Sequence, residues 1–471
     1  MKDKRVLFLI VSWALIFLPY IVTRKSPPGY IIGGDTLVHA AIARGIYLGR
    51  NPFLDQTYNV SPNWYPFLYH LIVATFAKVM GSIEKSMLSL QAIFSLAMIL
   101  TMFWIAKNLW GEKAGIFALS LSLLLLPAHR YPNPKELAPL LGIASIYFSL
   151  RRKYYLAGFF TGLSLWTHYA VAAPLIVFLL ILAIKDRRHL ISLALTLLIF
   201  SPFVVNIVLH AQFLFPHIED IYMFWITDTL EKKLMSLLPP LYIIPFVALA
   251  LIKMYEEKGE CSRGLFLLVL IIGGMRLFPE ILKPFGIDIW SSRFTGLLPY
   301  TYILLSSYGV RNFNGKIREF LVLALIPILA SVNFWHSVLS DPFIQASNLE
   351  LREYFPQEHF VEVAEWIIKN TARDEVVGAG EEMGMMINAL TGRPIIATMY
   401  GHGNPFLNNA ERRNDLRLLF LGNCREKTLV LQKYKLKYLI IDSLTEAYNM
   451  SCIGKVVFRV EGVEIIEIMT S

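Results

Sequence analysis

The segment Gly33-Gly34-Asp35-Thr36-Leu37-Val38-His39 follows the first long apolar run of this 471-residue chain and continues to Gly49. The paired glycines allow a turn, Asp35 stands where a helix N-cap would be, and the residues up to Gly49 favour a helix. Asp35 and His39 are four residues apart, so both lie on one face of that helix. Because the helix follows an apolar run, its carboxylate is predicted to lie at a membrane surface. Asp35 is therefore either a simple helix cap or a group that does chemistry there.

The composition indicates that most of the chain is embedded in lipid. Hydrophobic residues make up 55% of it and charged residues 17%, with a mean hydropathy of +0.52. A water-soluble chain of this size carries far more charge. The net charge of +9 lies largely in short loops between apolar runs, where basic residues set membrane orientation, so it does not indicate nucleic-acid binding.

Eleven apolar runs predict a mostly α-helical, polytopic membrane protein with its N-terminus in the cytoplasm and its C-terminus outside. The first run follows Lys2, Lys4 and Arg5 as in a signal peptide, but no small-residue cleavage site follows it, so it is predicted to be retained. If the runs cross the membrane in turn, the basic loops fall on one side. The predicted spans are 6–23, 87–106, 114–127, 137–150, 154–167, 171–184, 190–210, 237–252, 265–279, 294–309 and 319–336.

Two larger outer loops, 24–85 and 211–235, interrupt this predicted transmembrane domain of residues 1–340. In the first loop, Tyr65–Met80 is predicted to be a short helix at the outer interface, with Pro66 in its first turn. Counting this helix as a span would put every later basic loop on the wrong side of the membrane.

Residues 341–471 differ in character and predict a small soluble α/β domain outside the membrane. Glu358–Asn370 has helical periodicity, and short strands are predicted at Val376-Val377, Ile395-Ile396, Tyr438–Ile441 and Val456–Val460. Several polar side chains of this domain are candidates for contact with sugar or acceptor, and the alternative is that they belong to surface loops. They are Arg393, His402, Asn404, Arg412 and Arg413.

The three cysteines are too few for a disulfide framework. Cys261 is predicted to lie in a loop. Cys424 and Cys452 can pair if the C-terminal domain lies outside the membrane, and two free thiols are the alternative.

The order of several short motifs resembles the GT-C superfamily of membrane glycosyltransferases. The motifs are Gly34-Asp35 at the start of an outer-loop helix, Pro62-Asn63-Trp64-Tyr65-Pro66 before the interfacial helix, and Lys107-Asn108-Leu109-Trp110-Gly111 before the apolar run to Pro127. The superfamily includes protein mannosyltransferases, lipid A aminoarabinose transferases and oligosaccharyltransferase catalytic subunits. The resemblance covers roughly residues 1–310, while Trp366–Thr371 and Thr391–Pro394 resemble C-terminal domains of archaeal and bacterial members.

The resemblance implies transfer of a sugar from a polyprenyl (dolichyl-type) phosphate or diphosphate to an acceptor at the non-cytoplasmic face, with Asp35 as catalytic base or acceptor ligand. The chemistry itself points the same way. A lipid phosphate is a good leaving group, but an acceptor hydroxyl must lose its proton as it attacks. One carboxylate serves an inverting single displacement, and general-base help is worth on the order of 10²–10⁴-fold. The acceptor is a glycan, a lipid or a protein, and no nucleic acid is expected as a partner.

The leaving phosphate needs a cation, and arginine is suited because its planar fork binds phosphate oxygens in pairs. Arg293, in Ser291-Ser292-Arg293-Phe294, resembles the arginine of an Arg-Phe pair that meets the lipid phosphate in oligosaccharyltransferases. Alternatively, Arg293 only snorkels from the end of a span. Arg130 and Lys135 share an outer loop that the family places near the catalytic pocket, or else they are plain solvated residues.

Further side chains are candidates for substrate contact, and each has a structural alternative. Histidine and tyrosine can hydrogen-bond sugar or phosphate, or they can simply stand at helix ends. Aromatic rings can stack on sugars, or they can form an interfacial belt. An acidic pair can assist an acceptor, or it can be a solvated pair. The candidates are His39, His168, Tyr169, Trp64, Tyr65, Glu219 and Asp220.

Metal-dependent oligosaccharyltransferases carry two carboxylates one residue apart in a loop where this chain has only Glu136. Asp35 and Glu136 alone are a poor cage for Mg²⁺ or Mn²⁺, which want several oxygen ligands. The Trp-Trp-Asp acceptor motif of those enzymes is also absent from the sequence. These departures favour a metal-independent enzyme and leave a metal-dependent, oligosaccharyltransferase-like enzyme as one alternative. A transporter of lipid or solute is another, although the sequence shows no internal repeat.

Overall fold

Helices make up most of the part of the chain that the computed structural model describes. That part comprises residues 3–22, 34–129, 131–210, 229–257, 259–282, 291–313, 315–340, 357–399, 401–404, 406–442, 445–460 and 462–469. Grouped by their contacts, the residues form two units. The first unit comprises Met1–Thr23, Ser89–Pro202 and Phe224–Ser340, and the second comprises Arg24–Leu88, Phe203–Met223 and Asp341–Ser471.

Each apolar run predicted from the sequence contains a helix, although several boundaries differ. The helices are α1 (Lys4–Val22), α2 (Gly34–Tyr47), α3 (Leu68–Met80), α4 (Ile83–Trp110), α5 (Glu112–Ser122), α6 (Pro134–Leu150), α7 (Tyr154–Thr167), α8 (Tyr169–Lys185), α9 (His189–Leu209), α10 (Leu230–Met235), α11 (Ile244–Glu257), α12 (Glu260–Leu282), α13 (Leu298–Gly309), α14 (Gly315–Leu339), α15 (Gln357–Asn370), α16 (Glu381–Thr391), α17 (Asn409–Leu421) and α18 (Cys424–Tyr434). Two 3₁₀ segments, Leu123–His129 and Ser291–Leu297, adjoin α5 and α13.

Five helices among the described residues are long and apolar enough to cross a membrane: α1, α4, α9, α12 and α14. They expose large apolar side chains, such as Leu15 and Leu209, to their surroundings. Such surfaces are costly in water and favourable in lipid, which indicates a membrane protein. The count of eleven spans and the orientation of the termini stay predictions.

Helices α6, α7 and α8 form a tight group in the first unit. Short turns join them, so α6 and α8 run in the same direction and begin at the same end of the group. Glycines on α7 allow α9 to approach closely, since a Cβ at Gly158 would lie 2.4 Å from the Ser192 carbonyl oxygen. Small residues at helix contacts are typical of packing within membranes.

The C-terminal segment of the second unit contains a four-stranded sheet in the order β1-β2-β4-β3. β1 (Val377–Gly378) pairs in parallel with β2 (Tyr438–Asp442), while β4 (Val463–Ile468) is antiparallel to both β2 and β3 (Gly454–Val460). The predicted strand at Ile395 is wrong, because this residue forms only an isolated bridge to Val377. The C-terminal segment thus contains a small sheet among helices, while a separate domain that begins at residue 341 stays a prediction.

Cys424 and Cys452 form a disulfide, with their Cα atoms 6.0 Å apart, which decides between the two alternatives for these residues. Cys261 lies in the first turn of α12, so the loop predicted there is wrong. Near the disulfide, the buried Lys427 of α18 donates from Nζ to the carbonyl oxygens of Leu419 and Phe420 at the end of α17. It thereby satisfies carbonyl groups that a helix end leaves unpaired.

Candidate active site

Asp35 lies in the first turn of α2. The helix begins at Gly34, so Asp35 is its second residue and not the N-cap that was predicted. The N–H groups at a helix start lack intrahelical partners, and the helix dipole favours negative charge there. The Asp35 side chain is 45% exposed. A carboxylate is thus held at a helix start where a substrate can reach it.

Contacts with the C-terminal segment hold α2 in place. Arg44 donates from Nε to the Ala389 carbonyl oxygen of α16 over 2.6 Å and forms an ion pair with Glu84. Gly392, just after α16, has a φ of +72°, and a Cβ there would lie 2.7 Å from Leu48 Cδ1. The helix that carries Asp35 is therefore packed closely against residues that follow position 357.

His39 is buried at the contact between α2 and α3. Its Nδ1 lies 3.0 Å from Nε2 of His70, so one ring donates a proton to the other. The Tyr65 ring packs on His39 with a centroid distance of 5.2 Å. Burial lowers the pKa of His70 to about 3, which keeps this ring neutral at physiological pH. His70 was not predicted from the sequence, because nothing local links it to His39.

Trp64 and Tyr65 are half-buried in the segment that leads to α3. Their rings are nearly perpendicular, with centroids 5.4 Å apart, and the Tyr65 N–H donates to Oδ1 of Asn63. The predicted position of Pro66 in the first turn of the helix is wrong. α3 begins at Leu68, because Phe67 still has non-helical backbone angles.

His402, from the C-terminal segment, lies beside Asp35. Its Nδ1 is 3.8 Å from Asp35 Oδ1, and its side chain is only 17% exposed. Burial lowers the pKa of His402, and the charge of Asp35 opposes this shift without cancelling it. The sequence indicated Asp35 and His402 separately as candidates. Their contact was not predicted, because a contact between remote segments leaves no local pattern in the sequence.

In the first unit, Arg293 and Tyr169 lie near each other. The 3₁₀ segment that carries Arg293 packs on the start of α8, where a Cβ at Gly296 would lie 3.0 Å from Val171 Cγ2. The charge of Arg293 acts on the Tyr169 hydroxyl group. His168 caps α8, because its side chain accepts from the Val171 N–H over 3.4 Å. This cap matches the structural alternative given above for His168.

Lys135 and Glu136 lie in the first turn of α6, which Asn133 caps by accepting from the Lys135 N–H. Glu136 is buried, with Oε1 3.8 Å from His129 Nδ1. In the part of the chain that the structure describes, no three His, Cys, Asp or Glu side chains are grouped to hold a metal ion. The predicted site residues Arg130, Glu219 and Asp220 lie outside the described residues.

Solved structures of membrane glycosyltransferases share this architecture. ArnT from Cupriavidus metallidurans in the apo state superposes with a TM-score of 0.58 and 12% identity over 98% of each chain. The same protein bound to undecaprenyl phosphate gives 0.57 and 14%, over 98% of this chain and 97% of that one. The apo oligosaccharyltransferase of Archaeoglobus fulgidus gives 0.54 and 11%, over 94% and 70%. The chain has the GT-C glycosyltransferase fold.

The mycobacterial arabinofuranosyltransferase AftD has the same GT-C fold, with a TM-score of 0.57 and 13% identity over 98% of this chain and 40% of AftD. No model of a known protein family matches the sequence. No curated protein matches it by sequence either. The likeness thus lies in the path of the backbone, and it confirms the resemblance inferred from the order of the motifs.

One charged cluster of this GT-C fold was not predicted from the sequence. Arg276 of α12 is buried and donates to the hydroxyl oxygens of Ser236 (3.0 Å) and Ser291 (2.8 Å). Nearby, Lys233 pairs with Glu280 over 2.5 Å. The sequence did contain a signal for this cluster, because Arg276 and Glu280 interrupt an apolar run. Charged side chains are costly in such a run and are usually functional. The cluster fixes the segment that carries Arg293, two residues after Ser291.

Proposed function

We propose that this chain is an integral membrane glycosyltransferase that moves a sugar from a polyprenyl phosphate to an acceptor hydroxyl on the non-cytoplasmic side of the membrane. The observation that carries the proposal is the half-exposed carboxylate of Asp35 in the first turn of α2, in a chain with the GT-C fold. The structure of ArnT with bound undecaprenyl phosphate supports a lipid phosphate as the donor carrier.

Asp35 serves as the general base of a single displacement. The acceptor oxygen attacks the anomeric carbon, and its proton passes to Asp35. The bond from that carbon to the phosphate oxygen breaks, so the lipid phosphate leaves with the electron pair and the anomeric configuration inverts. One carboxylate is sufficient, because the phosphate is a good leaving group, and base help of this kind is worth on the order of 10²–10⁴-fold.

Cationic side chains supply the charge that the leaving phosphate needs. Arg293 is the principal group in this proposal, supported by Lys135 and Arg130. Hydrogen bonds between guanidinium and phosphate are roughly twice as strong as neutral ones. The bond from Arg276 to Ser291 supports this assignment, since a fixed segment lets Arg293 meet the phosphate with little loss of conformational freedom.

Sugar transfer by purified protein in lipid vesicles tests the proposal, with a panel of radiolabelled polyprenyl-phosphate hexoses and pentoses as donors. Release of polyprenyl phosphate should fall by at least about 10²-fold in Asp35→Asn, because the base is lost. Glu112→Gln, which changes a half-exposed carboxylate on α5, should transfer at the wild-type rate. Ordinary turnover by Asp35→Asn would overturn the assignment of the base.

The same assay with EDTA separates the alternatives. Transfer that survives EDTA supports the metal-independent mechanism. Loss of transfer in EDTA indicates a bound divalent cation and a mechanism closer to the metal-dependent enzymes. Movement of lipid across reconstituted vesicles without a glycosidic product would replace the proposal by the transporter alternative.

A further inference from the structure

A histidine flanked by glycines faces Asp35 from the C-terminal segment. The sequence there is Gly401-His402-Gly403-Asn404. Gly401 has a φ of +78°, a conformation that glycine adopts without strain. A Cβ at Gly403 would lie 2.3 Å from Asn409 Oδ1, so this position has no room for a side chain. The two glycines therefore allow a tight turn that presents His402.

Asn404 anchors this turn to the first outer loop. Its buried Nδ2 lies 2.7 Å from Asp55 Oδ2, 2.8 Å from Ser61 Oγ and 3.1 Å from the Pro62 carbonyl oxygen. Its Oδ1 accepts from the Phe406 N–H over 2.9 Å. An amide satisfied on both ends in a buried network has a single favourable orientation. The turn is thus fixed relative to the loop.

A second anchor lies before the turn. The Tyr58 hydroxyl is 2.9 Å from Thr398 Oγ1, and the Arg412 guanidinium stacks over the Tyr58 ring at 4.5 Å. The Ile395 N–H donates to the Thr57 carbonyl oxygen over 3.0 Å. Anchors on both sides hold His402 where it is, so its approach to Asp35 is imposed by the framework of the second unit.

We propose that His402 is a positioning residue for Asp35, orienting the carboxylate toward the acceptor hydroxyl and stabilising it as the anion that accepts the proton. The inference deepens the proposed function and rests on Asp35 being the base. The separation of 3.8 Å between Nδ1 and Oδ1 is that of the protein without substrate, and catalytic contacts tighten when substrate binds. A neutral, mostly buried imidazole can donate its ring N–H to the carboxylate.

Steady-state kinetics of His402 variants test the role. In His402→Ala, kcat should fall by about 10²-fold through loss of orientation, while KM for the donor lipid stays near the wild-type value. His402→Asn should recover much of the rate, because its amide N–H₂ lies near the position of Nδ1. His210→Ala is the matched control, since the Nδ1 of His210 faces the Asn206 carbonyl oxygen of α9, the helix that His210 directly follows. A normal kcat in His402→Ala would overturn the proposal.

A double variant distinguishes an effect through Asp35 from a separate one. If His402 acts only through Asp35, His402→Ala should slow the Asp35→Asn enzyme no further. Multiplicative losses in the double variant would show that His402 acts independently and would overturn the positioning role.

Titration of the histidine rings tests the contact without any activity. Protein with ¹³C-labelled histidine in nanodiscs is titrated by NMR, and the His402 signal is assigned by its loss in His402→Gln. Asp35→Asn should lower the pKa of His402, because the carboxylate that opposes the burial shift is removed. Glu112→Gln should not change it. An unchanged pKa in Asp35→Asn would overturn the inference, whereas a wild-type protein inactive with every donor would overturn the proposed function.

Discussion

Asn404 Nδ2 donates to Asp55 Oδ2 across 2.7 Å, although the two residues are 349 positions apart in the sequence. Both side chains are buried, and each makes further bonds within the second unit. The loop before α3 and the C-terminal segment therefore share one polar network. A buried network of this kind is stabilising only while every member is satisfied.

Replacing Asn404 should show how much this network contributes to the free energy of unfolding. In Asn404→Ala the Asp55 carboxylate loses a donor while it stays buried, which should lower the free energy of unfolding by about 2–3 kcal/mol. Thermal unfolding in nanodiscs, followed by tryptophan fluorescence, measures the change. Asn408→Ala is the control, because Asn408 is an exposed cap of α17 whose loss costs only about 1 kcal/mol. Equal losses in the two variants would contradict the prediction.

The pH dependence of stability should carry a contribution from Asp55. Burial raises the pKa of Asp55 above its ordinary value of 3.8, and hydrogen bonds from Tyr58, Asn404 and Thr57 offset this only in part. The folded chain therefore holds this proton more tightly than the unfolded chain. The stabilisation from this group is full below pH 3.8 and is lost as the pH rises through the raised pKa.

Asp55→Asn removes this titration, so it isolates the contribution of the group. The thermal midpoint of the wild type minus that of Asp55→Asn should decrease as the pH rises from about 4 to 8. A midpoint difference that increases over the same pH interval would contradict the predicted direction of the Asp55 pKa shift. Unfolding midpoints in nanodiscs at each pH supply the measurement.

The sequence predicted the helices better than their contacts. Helix α7 begins and ends where predicted, because Lys153 and His168 bound its apolar run. Strand β4 was not predicted, since Val463–Ile468 carries two glutamates and is stabilised by its pairing with β2 and β3. Ile395 has the side chain of a strand residue, but it forms only an isolated bridge. Local patterns specify elements, while pairing depends on distant segments.

The candidate site shows the same division. The paired glycines and Asp35 pointed to a helix start, and the structure has one there. Nothing in the sequence indicated that His39 would be buried against His70 or that His402 would reach Asp35, because both contacts join separate elements. The distance between such residues is set by packing, which a single sequence does not record.

A methyl group at Gly392 should disturb the contact between α2 and α16. Gly392 has a positive φ, and a Cβ there would overlap Leu48, so Gly392→Ala should lower the free energy of unfolding by at least about 1 kcal/mol. Gly274→Ala on α12 is the control, because no described atom outside its own helix lies within 4 Å of its Cβ position. That change should be neutral or slightly stabilising. Thermal midpoints of the two variants decide the question.

The charge of Arg293 should matter most for the donor. Arg293→Gln removes a charge-assisted hydrogen bond to phosphate, so kcat/KM for the lipid donor should fall by about 10-fold or more. Arg293→Lys keeps the charge without the planar fork, so its kcat/KM should lie between those of the wild type and Arg293→Gln. Arg263→Gln, on a basic residue of α12 predicted to face the cytoplasm, is the control. An equal effect of both glutamine variants would indicate a general change of surface charge.

The disulfide between Cys424 and Cys452 should be present in cells and should stabilise the C-terminal segment. Disulfides persist in oxidising compartments, which agrees with the predicted location of this segment outside the cytoplasm. A bond that closes a loop over a sequence separation of 28 is worth about 3–4 kcal/mol in the chain-entropy model, so Cys424→Ser should lower stability by up to that amount.

Gel shifts with a maleimide-linked polymer count thiols in the denatured protein. Wild type should react once before reduction, at Cys261, and three times after it. Three reactions before reduction would show that the bond does not form in the cell and would contradict the predicted location.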